Sequence, residues 1–281
     1  MIQLKNLGFR YSGAERLALD GIDLTVEDGA FLGLIGSSGA GKSTLCYALS
    51  GIVPHHYRGD FYGEARIEGM DSAEHRPEEL SRVLGCVFQD IDGQMVASVV
   101  EDEILFGLEN FGVPRDEIEG RVTQALAAAG ISELRGRLIS ELSGGQRQKV
   151  AIAAITALRP KIIVLDEPTG ELDPRSSRRV FETLKELNEK HGVTIIVVEQ
   201  KIMLLCEFAK RLAVMEEGRL ILEGEVPAVL QSAGRLEAAG VNIPRVTTLA
   251  RALREEGLYG GKLPLNLDEG EAMMREVLRP C

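Results

Sequence analysis

The chain has 281 residues, of which 44% are hydrophobic and 27% charged, and a formal net charge of −11. That length and mixture support one sizeable α/β core with a small appendage and exclude a disordered or fibrous chain. The acidic balance argues against an extended basic surface, so no nucleic-acid partner is expected.

In chain order, runs at 2–4, 19–26 and 31–35 read as β-strands and a helix is expected over 42–50. Between the third strand and that helix, Gly36-Ser37-Ser38-Gly39-Ala40-Gly41-Lys42-Ser43 fits the phosphate-loop pattern GxxxxGK[ST] in the strand–loop–helix setting its mechanism needs. The glycines let backbone N–H groups turn inward around phosphate oxygens, and the helix start adds its positive dipole end. Lys42 supplies a point charge, Ser43 can coordinate Mg²⁺, and Thr44 follows in the same nucleotide-binding turn. The neighbouring His55 and His56 have no acidic or thiol partner at ligand spacing and read as loop residues.

A strand at 84–88 leads into a stretch, 90–158, whose pattern turns helical, with helices at 100–110 and 116–129 on either side of Gly112-Val113-Pro114. We expect a helical subdomain inserted in the sheet. Its last helix, over 146–158, is preceded by Leu142-Ser143-Gly144-Gly145-Gln146, whose hydroxyl and consecutive glycine N–H groups make a second anion cradle. The apolar run 162–165 ends in Asp166 and Glu167, which stand beside the phosphate loop if the two strands are neighbours in a parallel sheet. Asp166 is then placed to hold Mg²⁺ and Glu167 to orient or deprotonate the attacking water.

A helix over 176–190, a strand at 194–198, and a strand pair with a short helix after Gly218 complete the core. From about 236 a separate appendage follows, marked by Pro244 and Gly260-Gly261. The runs at 84–88, 162–165 and 194–198 are continuously apolar, as suits strands of a parallel sheet buried on both faces. No stretch has the order of a signal peptide and no apolar run approaches the ~20 residues that span a bilayer, so a cytoplasmic chain is expected. Cys46, Cys86, Cys206 and Cys281 are scattered without a CxxC pair and read as reduced thiols.

With two phosphate-binding loops in one chain, the sequence from about residue 1 to 235 resembles the ATPase subunit of ABC transporters, whose LSGGQ signature, here Leu142 to Gln146, completes the nucleotide site of the opposing protomer. The resemblance implies an α/β P-loop NTPase of the ABC type. It has a mainly parallel core sheet, an N-terminal β subdomain, the inserted helical subdomain and a small C-terminal appendage over 236–281. It implies ATP and Mg²⁺ as cofactors, and a second ABC ATPase, identical or not, as dimer partner. By position, Tyr11 in Phe9-Arg10-Tyr11 stacks on adenine, and Gln89 in Val87-Phe88-Gln89 joins Mg²⁺ and the water to the membrane partner. Asp173 in Gly170-Glu171-Leu172-Asp173 sits at the dimer seam.

Gln200, in Val198-Glu199-Gln200-Lys201, stands where ABC ATPases usually have a switch histidine. Its carboxamide can donate a neutral hydrogen bond to a γ-phosphate oxygen but can neither carry charge nor relay a proton. Slower hydrolysis is therefore expected at the site built on this phosphate loop.

Val87-Phe88-Gln89-Asp90-Ile91-Asp92-Gly93-Gln94, Phe106-Gly107-Leu108-Glu109-Asn110 and Gly51-Ile52-Val53-Pro54-His55 resemble the ATPases of energy-coupling-factor (ECF) transporters, as do Gly112-Val113-Pro114 and the tail; Ile91 stands where relatives usually have proline. Those systems import vitamins or transition-metal ions. The resemblance implies a transmembrane coupling protein and a small substrate-binding membrane protein as partners, and a peripheral position on the cytoplasmic face of the cell membrane. The groove near Gln89 would receive coupling helices, and the appendage would help hold the dimer. ATP would close two protomers on two nucleotides and hydrolysis would reopen them. The alternatives are an ATPase of another ABC transporter class, a regulatory ATP-binding subunit whose partner hydrolyses, and a non-transport ABC ATPase. The last is opposed by the acidic balance and by a single cassette without a coiled-coil insertion.

Overall fold

The computed structural model describes residues 1–278, so Cys281 lies outside the described residues. Its strands are β1 Ile2–Tyr11, β2 Leu19–Val26, β3 Phe31–Gly36, β4 Gly59–Ile67, β5 Met70–Asp71, β6 Leu84–Val87, β7 Ile162–Asp166, β8 Thr194–Val198, β9 Arg211–Glu216 and β10 Arg219–Glu225. The helices are α1 Lys42–Leu49, the short turns α2 Ile52–His55 and α3 Pro77–Leu80, then α4 Val100–Asn110, α5 Arg115–Ala129, α6 Gly144–Ala157 and α7 Pro174–His191. They are followed by α8 Ile202–Phe208, α9 Val226–Gln231, α10 Ala233–Ala238, α11 Arg245–Glu255 and α12 Leu267–Val277.

In β2, Ile22, Leu24 and Val26 are buried while the residues between them are exposed, the alternation of a strand with one wet face. Its antiparallel sheet runs β2-β1-β4-β5. The second sheet runs β10-β9-β3-β8-β7-β6 and is parallel except where β10 pairs with β9. Every residue of β7 and β8 is buried, which is why those runs carry no polar alternation.

One cluster of buried side chains fills the space between the two sheets around α1, and a second packs the other face of the parallel sheet against α7, α8 and α9. The helical region α4–α6 encloses a third cluster of its own, with Val100, Val122 and Val150 fully buried. Burial pushes the thiols of Cys86 and Cys206 up to about 12 and that of Cys46 well above its usual value, so all three are protonated packing residues. Among the described residues no helix is long and apolar enough to cross a membrane.

Several expectations are corrected. β1 runs on to Tyr11 instead of stopping at residue 4, because it pairs along both edges with β2 and β4. The last hairpin turns at Glu217 and Gly218, so Gly218 separates β9 from β10 and does not precede the pair. The boundary at 235/236 falls inside α10, where Leu236 is fully buried with Val229 and Leu230 under the parallel sheet. The tail beyond it folds as α11 and α12, which pack on each other.

Candidate functional site

The phosphate loop joins β3 to α1, and its glycines have steric reasons. Gly41 has φ +98°, and a Cβ there would stand 2.4 Å from the Ala18 carbonyl oxygen. Lys42, 7% exposed, donates from Nζ to the carbonyls of Gly36 and Ser37, both at 2.8 Å, which fixes the ammonium over the loop. Burial pushes its pKa down, against the pull of the Glu167 and Asp166 carboxylates.

Asp166 closes β7, but β7 is not the neighbour of β3: β8 lies between them. Asp166 reaches the loop because α1 packs across onto β7, bringing the Ser43 side chain close to its carboxylate. Burial pushes the Asp166 pKa up, the nearby Ser43 hydroxyl opposes that, and the Glu167 charge adds to it.

Glu167 is held at φ +53°, a left-handed backbone that costs a non-glycine residue on the order of 1 kcal/mol and persists only where neighbours impose it. Here its N–H donates to Val198 O at 2.9 Å, and its carbonyl accepts from Gly170 N at 3.1 Å and from Gln148 Nε2 at 2.9 Å. The carboxylate accepts from Gln200 Nε2 at 2.7 Å on one oxygen and from Gln89 Nε2 at 3.3 Å on the other. Side chains from the ends of β6, β7 and β8 thus meet at one carboxylate. Gln94, the second glutamine of that loop, accepts from Phe88 N at 2.8 Å and shapes the backbone carrying Gln89.

Leu142 is buried, and Ser143 caps α6: its hydroxyl accepts from Gln146 N at 3.3 Å while Gln146 Oε1 accepts from Ser143 N at 2.9 Å. A Cβ on Gly144 would stand 1.5 Å from Glu171 Oε2, and one on Gly145 would stand 3.1 Å from the Glu171 carbonyl oxygen. The signature glycines therefore rest against their own chain's 170–172 turn. A cleft of about 340 Å³ opens between Gln89, Gly144, Arg147, Glu167 and Glu171, and residues 36–43 are not among its walls. Asp173 is the N-cap of α7, accepting from Arg175 N at 3.0 Å and Ser176 N at 3.1 Å. The hydrogen bonds from Ser176 hold its carboxyl pKa low.

Tyr11 ends β1 half-buried, its hydroxyl 3.1 Å from Thr44 Oγ1 and its ring edge-on to Phe9 and Tyr57. Thr44 is thereby tied to the aromatic residue at the edge of the loop. Four side chains that sequence reading did not assign join the site: Tyr57, Gln148, Glu199 and Lys201. Glu199 and Lys201 flank Gln200 in sequence, yet no spacing rule marks them, because the partners that tie them to the segment 169–177 lie 24 to 32 residues away.

Ser43 Oγ, the Asp166 carboxylate and Gln89 Oε1 are oxygen donors, the chemistry a hard cation such as Mg²⁺ takes. Among the described residues no group of three or more His, Cys, Asp or Glu is arranged to hold an ion alone. The set fits a Mg²⁺ whose remaining ligands are phosphate oxygens and water.

The ABC transporter family profile matches residues 19–170. A putative ABC transporter ATP-binding protein of Pyrococcus horikoshii is 38% identical over 92% of this chain and 91% of its own length. The energy-coupling factor transporter ATP-binding protein EcfA1 of Clostridium perfringens is 37% identical over 96% of this chain and 95% of its own. Among solved structures, cbiO1 of Clostridium perfringens, part of the ABC transporter complex cbiONQ, superposes with TM-score 0.72 at 32% identity, covering 88% of this chain and 97% of that one. An ATP-binding cassette solved as a dimer in a post-hydrolysis state bound to ADP and Pi gives TM-score 0.72 at 27% identity, covering 80% and 99%.

Proposed function

Because the chain belongs to the ABC transporter family of ATP-binding proteins, ATPases coupled to transport, we propose that it energises an ECF-type importer of a vitamin or transition-metal ion through ATP-driven closure of a dimer. The ECF assignment is supported by near full-length likeness to EcfA1 and to a cassette of a cbiONQ complex. The hydrolytic assignment is carried by the convergence of Gln89 and Gln200 on the Glu167 carboxylate beside the phosphate loop.

In this reading the N–H groups of 36–44 and the Lys42 ammonium bind the phosphates, and Tyr11 stacks on adenine. Ser43, Asp166 and Gln89 would hold Mg²⁺, which when bound neutralises charge on the phosphate oxygens. Glu167 accepts a proton from the attacking water or orients it, and Gln200 donates to the carboxylate and to a γ-phosphate oxygen. Leu142 to Gln146 serve the opposing protomer's nucleotide, which is consistent with the cleft at Gly144, whose walls do not include this chain's own phosphate loop. A second ATPase, a transmembrane coupling protein and a small substrate-binding membrane protein are the proposed partners, and the site of work is the cytoplasmic face of the cell membrane.

The test is to purify the tagged chain from its native membranes and identify what accompanies it, with Glu167→Gln in parallel. A polytopic coupling protein and a small membrane protein are expected, and a two-domain permease in their place would remove the ECF assignment. Glu167→Gln should hold MgATP and stay associated as a closed dimer. If it stays monomeric at saturating MgATP, the sandwich mechanism is wrong for this chain.

A further inference from the structure

Between the Asp166–Glu167 pair and α7 lies the irregular turn 169–173, which ends in Asp173. Its oxygens are tied to the residue that follows Gln200. Lys201 Nζ donates to Thr169 O at 2.6 Å, to Ser177 Oγ at 3.1 Å and to Leu172 O at 3.3 Å, an acceptor for each of the three N–H groups an ammonium carries. From the other side Glu199, 3% exposed, accepts from Thr169 N at 3.0 Å, Gln200 N at 3.1 Å and Lys201 N at 3.2 Å, and also from the Thr169 hydroxyl. A buried carboxylate with its lone pairs filled and a lysine with its donors filled bind segments 199–201 and 169–177 into one hydrogen-bonded unit. Gln200 projects from that unit onto Glu167.

We propose that Lys201, acting with Glu199, is a positioning residue that sets the Gln200–Glu167 contact from the state of the 169–173 turn, so that a second chain engaging Asp173 is felt at the hydrolytic carboxylate. This rests on the reading of Glu167 given above and on Asp173 as the seam residue that the family resemblance implies. The reason is geometric. Gln200 reaches Glu167 through a flexible side chain, so its donor is only as well placed as its backbone, and that backbone is anchored through Glu199 and Lys201. A misplacement of about 1 Å at a reacting group costs on the order of a hundredfold in rate. Nucleotide capture uses Lys42 and the phosphate loop, which share no hydrogen bond with Lys201. The effect therefore falls on turnover and not on ATP affinity.

The test compares the full chain, with the subunits that copurify, as wild type, Lys201→Met, Lys201→Arg and Glu167→Gln. Binding of a fluorescent ATP analogue, kcat, KM, the cooperativity of the rate in ATP and the melting temperature are measured. Lys201→Met should bind MgATP within about twofold of wild type while kcat falls on the order of tenfold and cooperativity is flattened, and Lys201→Arg should recover much of the rate. Should the methionine variant not fold, Lys201→Gln, which keeps a donor, replaces it in the comparison. A lowered melting temperature with unchanged kcat and cooperativity makes Lys201 a purely structural clamp and overturns the proposal, as does loss of ATP binding in Lys201→Met and Lys201→Arg alike. Glu167→Gln at the wild-type rate would sink the reading of Glu167 itself. An inactive Glu167→Gln beside a fully active Lys201→Met sinks the role of Lys201 alone.

Discussion

At position 200 a carboxamide donates to Glu167 Oε1 across 2.7 Å. A carboxamide has no titration in the working pH range, whereas an imidazole with a pKa near ~6.5 gains and loses a proton within it. Gln200→His should therefore raise turnover at neutral pH and add a limb to the kcat–pH profile around ~6.5 that the parent chain lacks. An unchanged or lower rate with an unchanged profile would mean that Gln200 already does all that the position requires. Lys42, Asp166 and Glu167 were legible at this scale because glycine spacing and an acidic pair after an apolar run are local patterns. Gln148, Glu199 and Lys201 were not, since each is defined by a partner far along the chain.

α7 shows how the elements are marked. Asp173 caps it, Pro174 fills its first position, Lys190 and His191 complement the carbonyl end, and Gly192 leaves it at φ +67°. Its interior face, with Phe181 and Leu184 fully buried, packs beneath the parallel sheet. The same Asp173 is the proposed seam residue, and two substitutions separate the roles. Asp173→Ala should lower stability by about 1 kcal/mol in denaturant unfolding, and Asp173→Asn, which still caps, should keep nearly all of it. If Asp173→Asn nonetheless loses cooperative hydrolysis, the charge acts at the seam. β7 and β8 were legible as apolar runs, but β4 was not, because only Ala65 and Ile67 of its residues are buried and Gly59 and Gly63 interrupt any period. β9 was overlooked ahead of Gly218 although four of its six residues are buried.

Over the whole molecule, one cradle sits on the six-stranded sheet and the other on a helical region with a separate core. A nucleotide bound between two chains links folding, binding and association. MgATP at about 100 times its Kd should stabilise the Glu167→Gln chain by about 2.7 kcal/mol, and the melting shift should grow with chain concentration. Removing Mg²⁺ with a chelator should shrink the shift. A shift independent of chain concentration would show that each chain holds ATP alone.

Fold class, the phosphate loop, the Asp166–Glu167 pair and the signature were readable from residue order, because each is marked by a local pattern of residue types along the chain. Strand order was not: β8 inserts between β3 and β7, and only the path of α1 returns Ser43 to Asp166. Nor was the division of the tail, where burial of Leu236 carries the core past the position suggested by composition. The gathering of Gln89, Gln200, Glu199 and Lys201 around Glu167 and its following turn was likewise decided by the tertiary structure, since hydrogen bonds between strand ends exist only once the sheet has set its order.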